Sequence, residues 1–438
     1  MIADKAVKLA VKMGAEQAEA YVTRSRRIRL IIEGNRIPVV ERSSSNSLRV
    51  MSIIDKRVGL ASVYGQLDRL VEKAVDESIS LAKASERDPN FESLLSPMPP
   101  ADVKEIFDDE IAEISSDKNI NLGLEIVETA NRSGADIVLC ELSLSTSYRE
   151  LVNSEGVCFS YDKTRAYINI TLASRKGSSE MYLYRSSTFL DDLDVVNLVE
   201  YASRIAVDTS EPRRVEPFKG TVILGSDAVA DIFQGIIYAV NADNVRRRRS
   251  RFTGMLNEKV ASEKLTIVDD GTLSRGVGSA PYDGEGCTMK RKTVIENGVL
   301  KNYLYDSYTA RLLRAELTGN ASFRRPLPSI TATNFIVNPG TKNLEELIGK
   351  VDKGLWVPRI PPSFLNFVTG DFSAELRNAF LIENGEIKYP VRWGMISGNI
   401  FEMIRNIVEI GSDQTIVGRI ITPSIVFGNV NISGVKQS

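Results

Sequence analysis

An α+β fold is predicted by three observations. Alternating strand patterns are interleaved with amphipathic helices in the first half. The second half holds two Asn-Gly hairpin signals among apolar runs. The composition, 43% hydrophobic and 26% charged over 438 residues, is that of an ordinary globular chain with length for two or three domains. The N-terminal α/β part reads as two helix–strands–helix units, at 1–95 and 96–217. The C-terminal part, 218–438, reads as an antiparallel β-rich domain with short helices.

The elements follow in order. Residues 2–13 form an amphipathic helix with Gly14 as its C-cap. AEAYVTR and IRLII read as strands, the second with Ile28, Leu30 and Ile32 on one face, and RVMSII and RVGLASVYG complete a sheet. Residues 67–82 are helical. The pattern then recurs: a helix over 119–132, alternating strands with Leu142 and Leu144 against Ser143 and Ser145, and a helix over 191–206. Gly134-Ala135-Asp136 echoes Gly14-Ala15-Glu16, and a duplication is one reading of this order. RDPNFESLLSPMPPAD (87–102) and EPRRVEPFKG (211–220) read as linkers. Beyond them, Asn297-Gly298 and Asn384-Gly385 predict type I′ hairpins, because that turn needs positive φ at both central residues. Short helices are expected at 226–243, 307–316 and 343–350.

The most restrictive count is zero histidines. A Ser-His-Asp triad, a Cys-His dyad and a histidine-ligated zinc are each impossible in this chain alone. Three cysteines, Cys140, Cys158 and Cys287, without motif spacing fit reduced, mostly buried thiols. No apolar run approaches the roughly 18 residues needed to cross a bilayer. The N-terminus has acidic residues instead of a continuous apolar core, so a cytoplasmic location is expected. A net charge of −2 argues against a nucleic-acid binder, whose domain is usually basic.

Candidate chemistry concentrates in 226–292. Ser226 or Asp227 reads as the cap of a helix whose stripe Val229, Ile232, Phe233, Ile236 and Val240 is apolar. That helix runs into Arg246, Arg247, Arg248, Arg249 and Arg251, which suit a phosphate, a carboxylate or a partner surface. The plainer reading is cations following a helix C-terminus. Asp269, Asp270, Asp283 and Glu285 offer oxygen ligands, without the spacing of a calcium loop. Cys287 lies near Lys290, Arg291 and Lys292, which would lower a thiol pKa, but no histidine base exists to use it.

Several ordered blocks resemble the TldD/PmbA family, historically called modulators of DNA gyrase and regarded as metalloprotease-related. They are GSAPYDGEGCTMKRKTVIENGVLKNYLYDSYTARLL (278–313), VTGDFSAELRNAFLIENGEIKYPVRWGMISGNIFEMIRNIVEIGSD (368–413) and TPSIVFGNVNISG (422–434), with GAEQAEAYV and the stretch around RVGLASV near the N-terminus. The resemblance implies two kinds of subunit. The catalytic kind carries His-Glu-x-x-x-His in the first helix of the C-terminal domain, and those six positions fall here on Phe233, Gln234, Gly235, Ile236, Ile237 and Tyr238. Phe233 cannot bind zinc, and Gln234 cannot act as the base that activates water. The catalytic kind also recruits a late cysteine, and no cysteine follows Cys287. The resemblance therefore implies the PmbA/TldE type: no catalytic residue and no cofactor in this chain, with zinc in a TldD-type partner. It further implies a heterodimer enclosing a chamber for unfolded peptides, with a homodimer as the alternative assembly. The alternative is a gyrase-associated or nucleic-acid-binding regulator acting through Arg246–Arg251.

Overall fold

The computed structural model describes residues 1–323, 329–361 and 364–434. Helix α1 (Ile2–Lys12) buries Ile2, Ala3, Ala6, Val7 and Ala10, and the chain turns after it at Gly14, φ +102°. Strands β1 (Gln17–Glu33), β2 (Arg36–Ile54) and β3 (Arg57–Tyr64) lead to α2 (Leu67–Ala84). The short α3 (Asp109–Glu113) precedes a second run with the same order: α4 (Ser116–Arg132), β4 (Ala135–Asn153), β5 (Cys158–Ser174), β6 (Glu180–Ser187) and α5 (Val195–Asp208).

The two runs share one sheet, in the order β3-β2-β1-β4-β5-β6. Their first strands, β1 and β4, lie side by side and antiparallel at the centre. Even-numbered β1 residues face the helices. Ala18, Ala20 and Val22 join the cluster under α1 and α2, while Ile28, Leu30 and Ile32 join the cluster under α4 and α5. Arg24 and Arg26 fall in the gap between the two helix pairs and are exposed. The apolar alternation therefore lapses there, and the sequence suggests two strands where a single 17-residue strand is paired on both sides.

Gly59 of β3 shows how closely α2 lies on this sheet. A Cβ there would sit 2.0 Å from the Ser78 carbonyl oxygen and 2.2 Å from the Ala82 nitrogen. Both are backbone atoms, so no side chain can swing aside. Gly59→Ala is expected to cost about 1–3 kcal/mol in a denaturant melt; an unchanged midpoint would show that the helix can lift away.

The C-terminal part builds two further sheets around α6 (Ser226–Val240), which follows β7 (Arg213–Arg214) and β8 (Phe218–Leu224). β8 runs antiparallel to Ile425–Ser433 and parallel to Lys353–Arg359. A second parallel pair joins Phe335–Val337 to Ile420–Thr422. The sheets are thus mixed, with antiparallel pairs in the majority. The hairpin signals could not reveal pairings between strands this far apart in the chain. Both hairpins are present: Asn297 and Gly298 have φ of +47° and +81°, and Asn384 and Gly385 +53° and +76°. Their flanking pairs are Glu296 with Val299 and Glu383 with Glu386. Among the described residues, no helix is long and apolar enough to cross a membrane.

Candidate functional site

Helix α6 carries the positions singled out in the sequence. Its stripe is fully internal: Val229, Ile232, Phe233, Ile236 and Val240 are all at most 1% exposed. Neither expected cap operates. Gly225 is the N-cap residue, without a side-chain cap bond. Ser226 Oγ instead donates to the Asp413 carbonyl at 3.3 Å. Asp227 instead accepts both guanidinium arms of Arg185, at 2.6 and 2.9 Å. Arg359 donates to Asp231 at 2.9 Å and to the Asp227 carbonyl oxygen at 3.3 Å, and lies over the rings of Tyr182 and Tyr184. Burial lifts the Asp231 carboxyl to about 6 against the opposing pull of Arg359. The first half of α6 is therefore a bolt between β6 and the C-terminal domain.

The three motif positions point to different places. Phe233 is buried in the core, Gln234 is exposed, and Tyr238 lies half-buried with its ring 5.7 Å from Phe367. A zinc site needs convergent nitrogen, sulfur or carboxylate ligands. A phenyl ring and an amide do not supply them, so these residues do not fit the metal. Among the described residues, no group of three or more Asp, Glu or Cys side chains is arranged to hold a metal ion.

The helix stops at Val240, not 243. Asn241 ends it and caps a second short helix, Ala242–Arg246. Asp243 on that turn takes Arg246 and Arg247, each at 2.7 Å. Arg248, at φ +55°, and Arg249 are exposed. Arg251 is also exposed and helps hold the Asp371 carboxyl below its usual range, behind the larger effects of Asn399 and Thr369. The five arginines do not converge on one point.

The four acidic candidates are spent on backbone N–H groups and on side chains of the protein itself. Asp283 accepts the N–H groups of Glu285 (2.9 Å), Cys287 (3.0 Å) and Ala321 (2.9 Å). Asp269 accepts from Thr333 N–H at 2.7 Å, the Asn320 amide at 2.8 Å and the Lys292 ammonium at 3.0 Å. Asp270 binds the N–H and hydroxyl of Thr272, and Glu285 the N–H of Ser307. Burial, then Asp283 and Glu285, push the Cys287 thiol to about 12 against the opposing effect of Lys290. An inert thiol follows. Cys140 is equally buried, while Cys158 is exposed; all three are free.

Sequence reading missed the other face of the N-terminal sheet. Odd-numbered β1 residues point away from the helices, and register carries that face across the sheet. One rung reads Ser45, Ser25, Ser147, Lys163; the next reads Ser47, Thr23, Arg149, Tyr161. Another reads Ser43, Arg27, Ser145, Arg165. Hydroxyl side chains form a low floor, interrupted by Arg27 on β1 and flanked by Arg149, Lys163 and Arg165 on β4 and β5. Where this face meets the C-terminal domain it encloses a cavity of about 540 Å³, inside the usual range of ligand pockets. A signal was present in the sequence: Ser43-Ser44-Ser45-Asn46-Ser47 and Ser143-Leu144-Ser145-Thr146-Ser147 place hydroxyls at period two, on strands that become near neighbours.

Comparison with known proteins gives a consistent family. Residues 217–434 match the family model of the PmbA/TldA metallopeptidase C-terminal domain, and residues 105–209 that of the PmbA/TldA metallopeptidase central domain. An uncharacterized protein of Methanocaldococcus jannaschii is 28% identical over 427 residues, covering 97% of this chain and 98% of that one. Metalloprotease PmbA of Escherichia coli O157:H7 is 26% identical over 447 residues, covering 99% and 96%. The crystal structure of TldE from Thermococcus kodakarensis matches with a TM-score of 0.90 at 27% identity, over 99% of this chain and all of that one.

Proposed function

From the membership of this chain in the PmbA/TldD metallopeptidase family, we propose that it is the non-catalytic subunit of a two-chain zinc metalloprotease acting on unfolded peptides. One observation carries the reading. The family fold extends over the whole chain, yet the motif positions of α6 hold Phe233, Gln234 and Tyr238, in a sequence without histidine. Zinc and the water-activating base then belong to a TldD-type partner that carries the histidine motif. This chain contributes walls and a sheet face along which an extended peptide is held by main-chain hydrogen bonds that ask little of its sequence. The nucleic-acid reading draws less support: Arg246 and Arg247 are spent on Asp243.

The test is co-expression with a TldD-type chain. The expected result is a stable heterodimer that cleaves an unstructured peptide and loses activity with chelator, while this chain alone is inactive with or without zinc. Zinc-dependent cleavage by this chain alone would overturn the reading. So would failure to assemble with any such partner. Size-exclusion chromatography of the isolated chain separates monomer from homodimer in the same experiment.

A further inference from the structure

A smaller cavity lies where the outer face of β1–β3 meets the C-terminal domain. Three pieces of chain close it: the sheet, through Glu19, Met51 and Leu60; the stretch 90–95 laid across that sheet; and the helix Ser307–Leu313. Arg311 of that helix donates to the Ser93 and Leu94 carbonyls and pins the stretch in place. Phe91, Leu94 and Leu95 are buried and make the walls apolar. The volume is about 60 Å³, several times the roughly 10–15 Å³ that one water needs. That is room for a compact head group and a short chain.

Glu19 is the polar group that this cavity leaves unanswered. It is 7% exposed and lines the cavity, yet no N–H or hydroxyl among the described residues donates to its carboxylate. Buried polar groups are ordinarily hydrogen-bonded, and an exception needs a reason. The neighbouring charged groups are committed elsewhere. Arg49, on β2, attracts the carboxylate without closing an ion pair. Its Nη1 donates to the Phe323 carbonyl at 2.8 Å, and its guanidinium lies 5.2 Å from the Tyr21 ring. Glu285, reaching the cavity from the C-terminal domain, accepts the Ser307 N–H at 2.8 Å. Asp283 accepts three backbone N–H groups. Glu92 also lines the cavity but is exposed. Among the buried carboxylates here, Glu19 alone keeps both oxygens free. A metal ion needs several converging oxygens, and no group of three or more Asp, Glu or Cys side chains is arranged for one among the described residues. An ammonium needs fewer, because it is compact and brings three donors and one positive charge.

We propose that this cavity binds a primary ammonium group on a short apolar chain, supplied by a free amine or by the N-terminus of a peptide. The ammonium donates to the Glu19 carboxylate and supplies its missing counter-charge. The chain lies against Met51, Leu60, Phe91 and Leu94. The site lies within this chain and needs neither zinc nor a partner subunit, so it stands or falls separately from the function proposed above.

Isothermal titration of the purified full chain at pH 8 and low ionic strength tests it. The probes are n-butylamine and its uncharged counterpart n-butanol, and leucinamide and its uncharged counterpart N-acetyl-leucinamide. Saturable binding of an amine is expected, at least tenfold tighter than that of its uncharged counterpart. Glu19→Gln keeps the shape and removes the charge, and is expected to weaken the amine at least tenfold. Glu16→Gln, on the exposed surface, is expected to leave it unchanged. Tighter binding of leucinamide assigns a peptide N-terminus, and tighter binding of n-butylamine assigns a free amine. Absence of binding by both amines overturns the proposal. Equal binding of charged and uncharged probes also overturns it, since that marks an apolar pocket only. So does an equal response to the two substitutions, which marks non-specific attraction. The comparison of charged with uncharged probes needs the wild-type chain alone, so it decides even if a variant misfolds.

Discussion

Replacing Asp227 by alanine is expected to lower the unfolding free energy by about 3–5 kcal/mol, the usual cost of removing one partner from a buried ion pair. The Asp227 side chain is 4% exposed and Arg185, its partner from β6, is 13% exposed. Without the carboxylate, the Arg185 guanidinium keeps the Tyr184 carbonyl at 2.8 Å but loses its counter-charge inside the protein. Asp227 also lies in the first turn of α6, where a negative charge favours the helix dipole. Arg359 adds a second layer, lying 3.9 Å from the same carboxylate and 2.9 Å from Asp231. The loss falls at the joint between the N-terminal sheet and the C-terminal domain, so proteolysis near that joint should quicken before global unfolding. A double variant, Asp227→Asn with Arg185→Met, should recover part of the loss, because no unpaired charge remains. A single variant that melts within 1 kcal/mol of the parent would show that water reaches the pair and screens it.

Glu19→Gln is expected to stabilise the protein by about 3 kcal/mol at pH 8. Glu19 lies on the outer face of β1, 7% exposed, opposite Met51 and Asn153. Burial lifts its carboxyl from 4.5 to about 7; Arg49 opposes the rise and Asp283 adds to it. Each unit corresponds to about 1.4 kcal/mol. The folded pKa exceeds the unfolded one, so the folded state holds more protons between them. The favourable contribution is complete below about pH 4.5 and is lost as pH rises through about 7. Asp283, lifted to about 6 chiefly by burial, works in the same direction. Thermal melts from pH 4.5 to 8 should therefore decline for the parent and flatten for the variant. A variant that melts lower at pH 8 with an unchanged slope would mean that Glu19 is held ionised by Arg49.

How much was legible depended on the range of the interaction. The Asn-Gly turns, the apolar stripe of α6 and the repeated helix–strands–helix order were readable because each rests on residues within one turn or one strand. Position 227 misled: a Ser-Asp pair before an apolar run is a capping signal, and only a β6 arginine 42 residues earlier turns Asp227 into a bridge. Asp269 and Asp283 suggested cation ligands, yet Asp283 accepts the backbone N–H of Ala321 and Asp269 that of Thr333. Lys163, in YDKTRAY, looks like an ordinary exposed cation until residues 276–279 close over it.

The sequence by itself determined the α+β class, the two hairpins, the family and the absence of any histidine chemistry. Local backbone preference, periodicity and residue inventory are sufficient for those, since none requires knowing what lies across the fold. Only the tertiary structure decided which charges are paired, which carboxylates are buried enough to keep their protons, and that hydroxyls from 43–47 and 143–147 share one face with Arg149, Lys163 and Arg165. Burial and charge proximity depend on long-range pairing, and strand register converts distant, unremarkable residues into one surface.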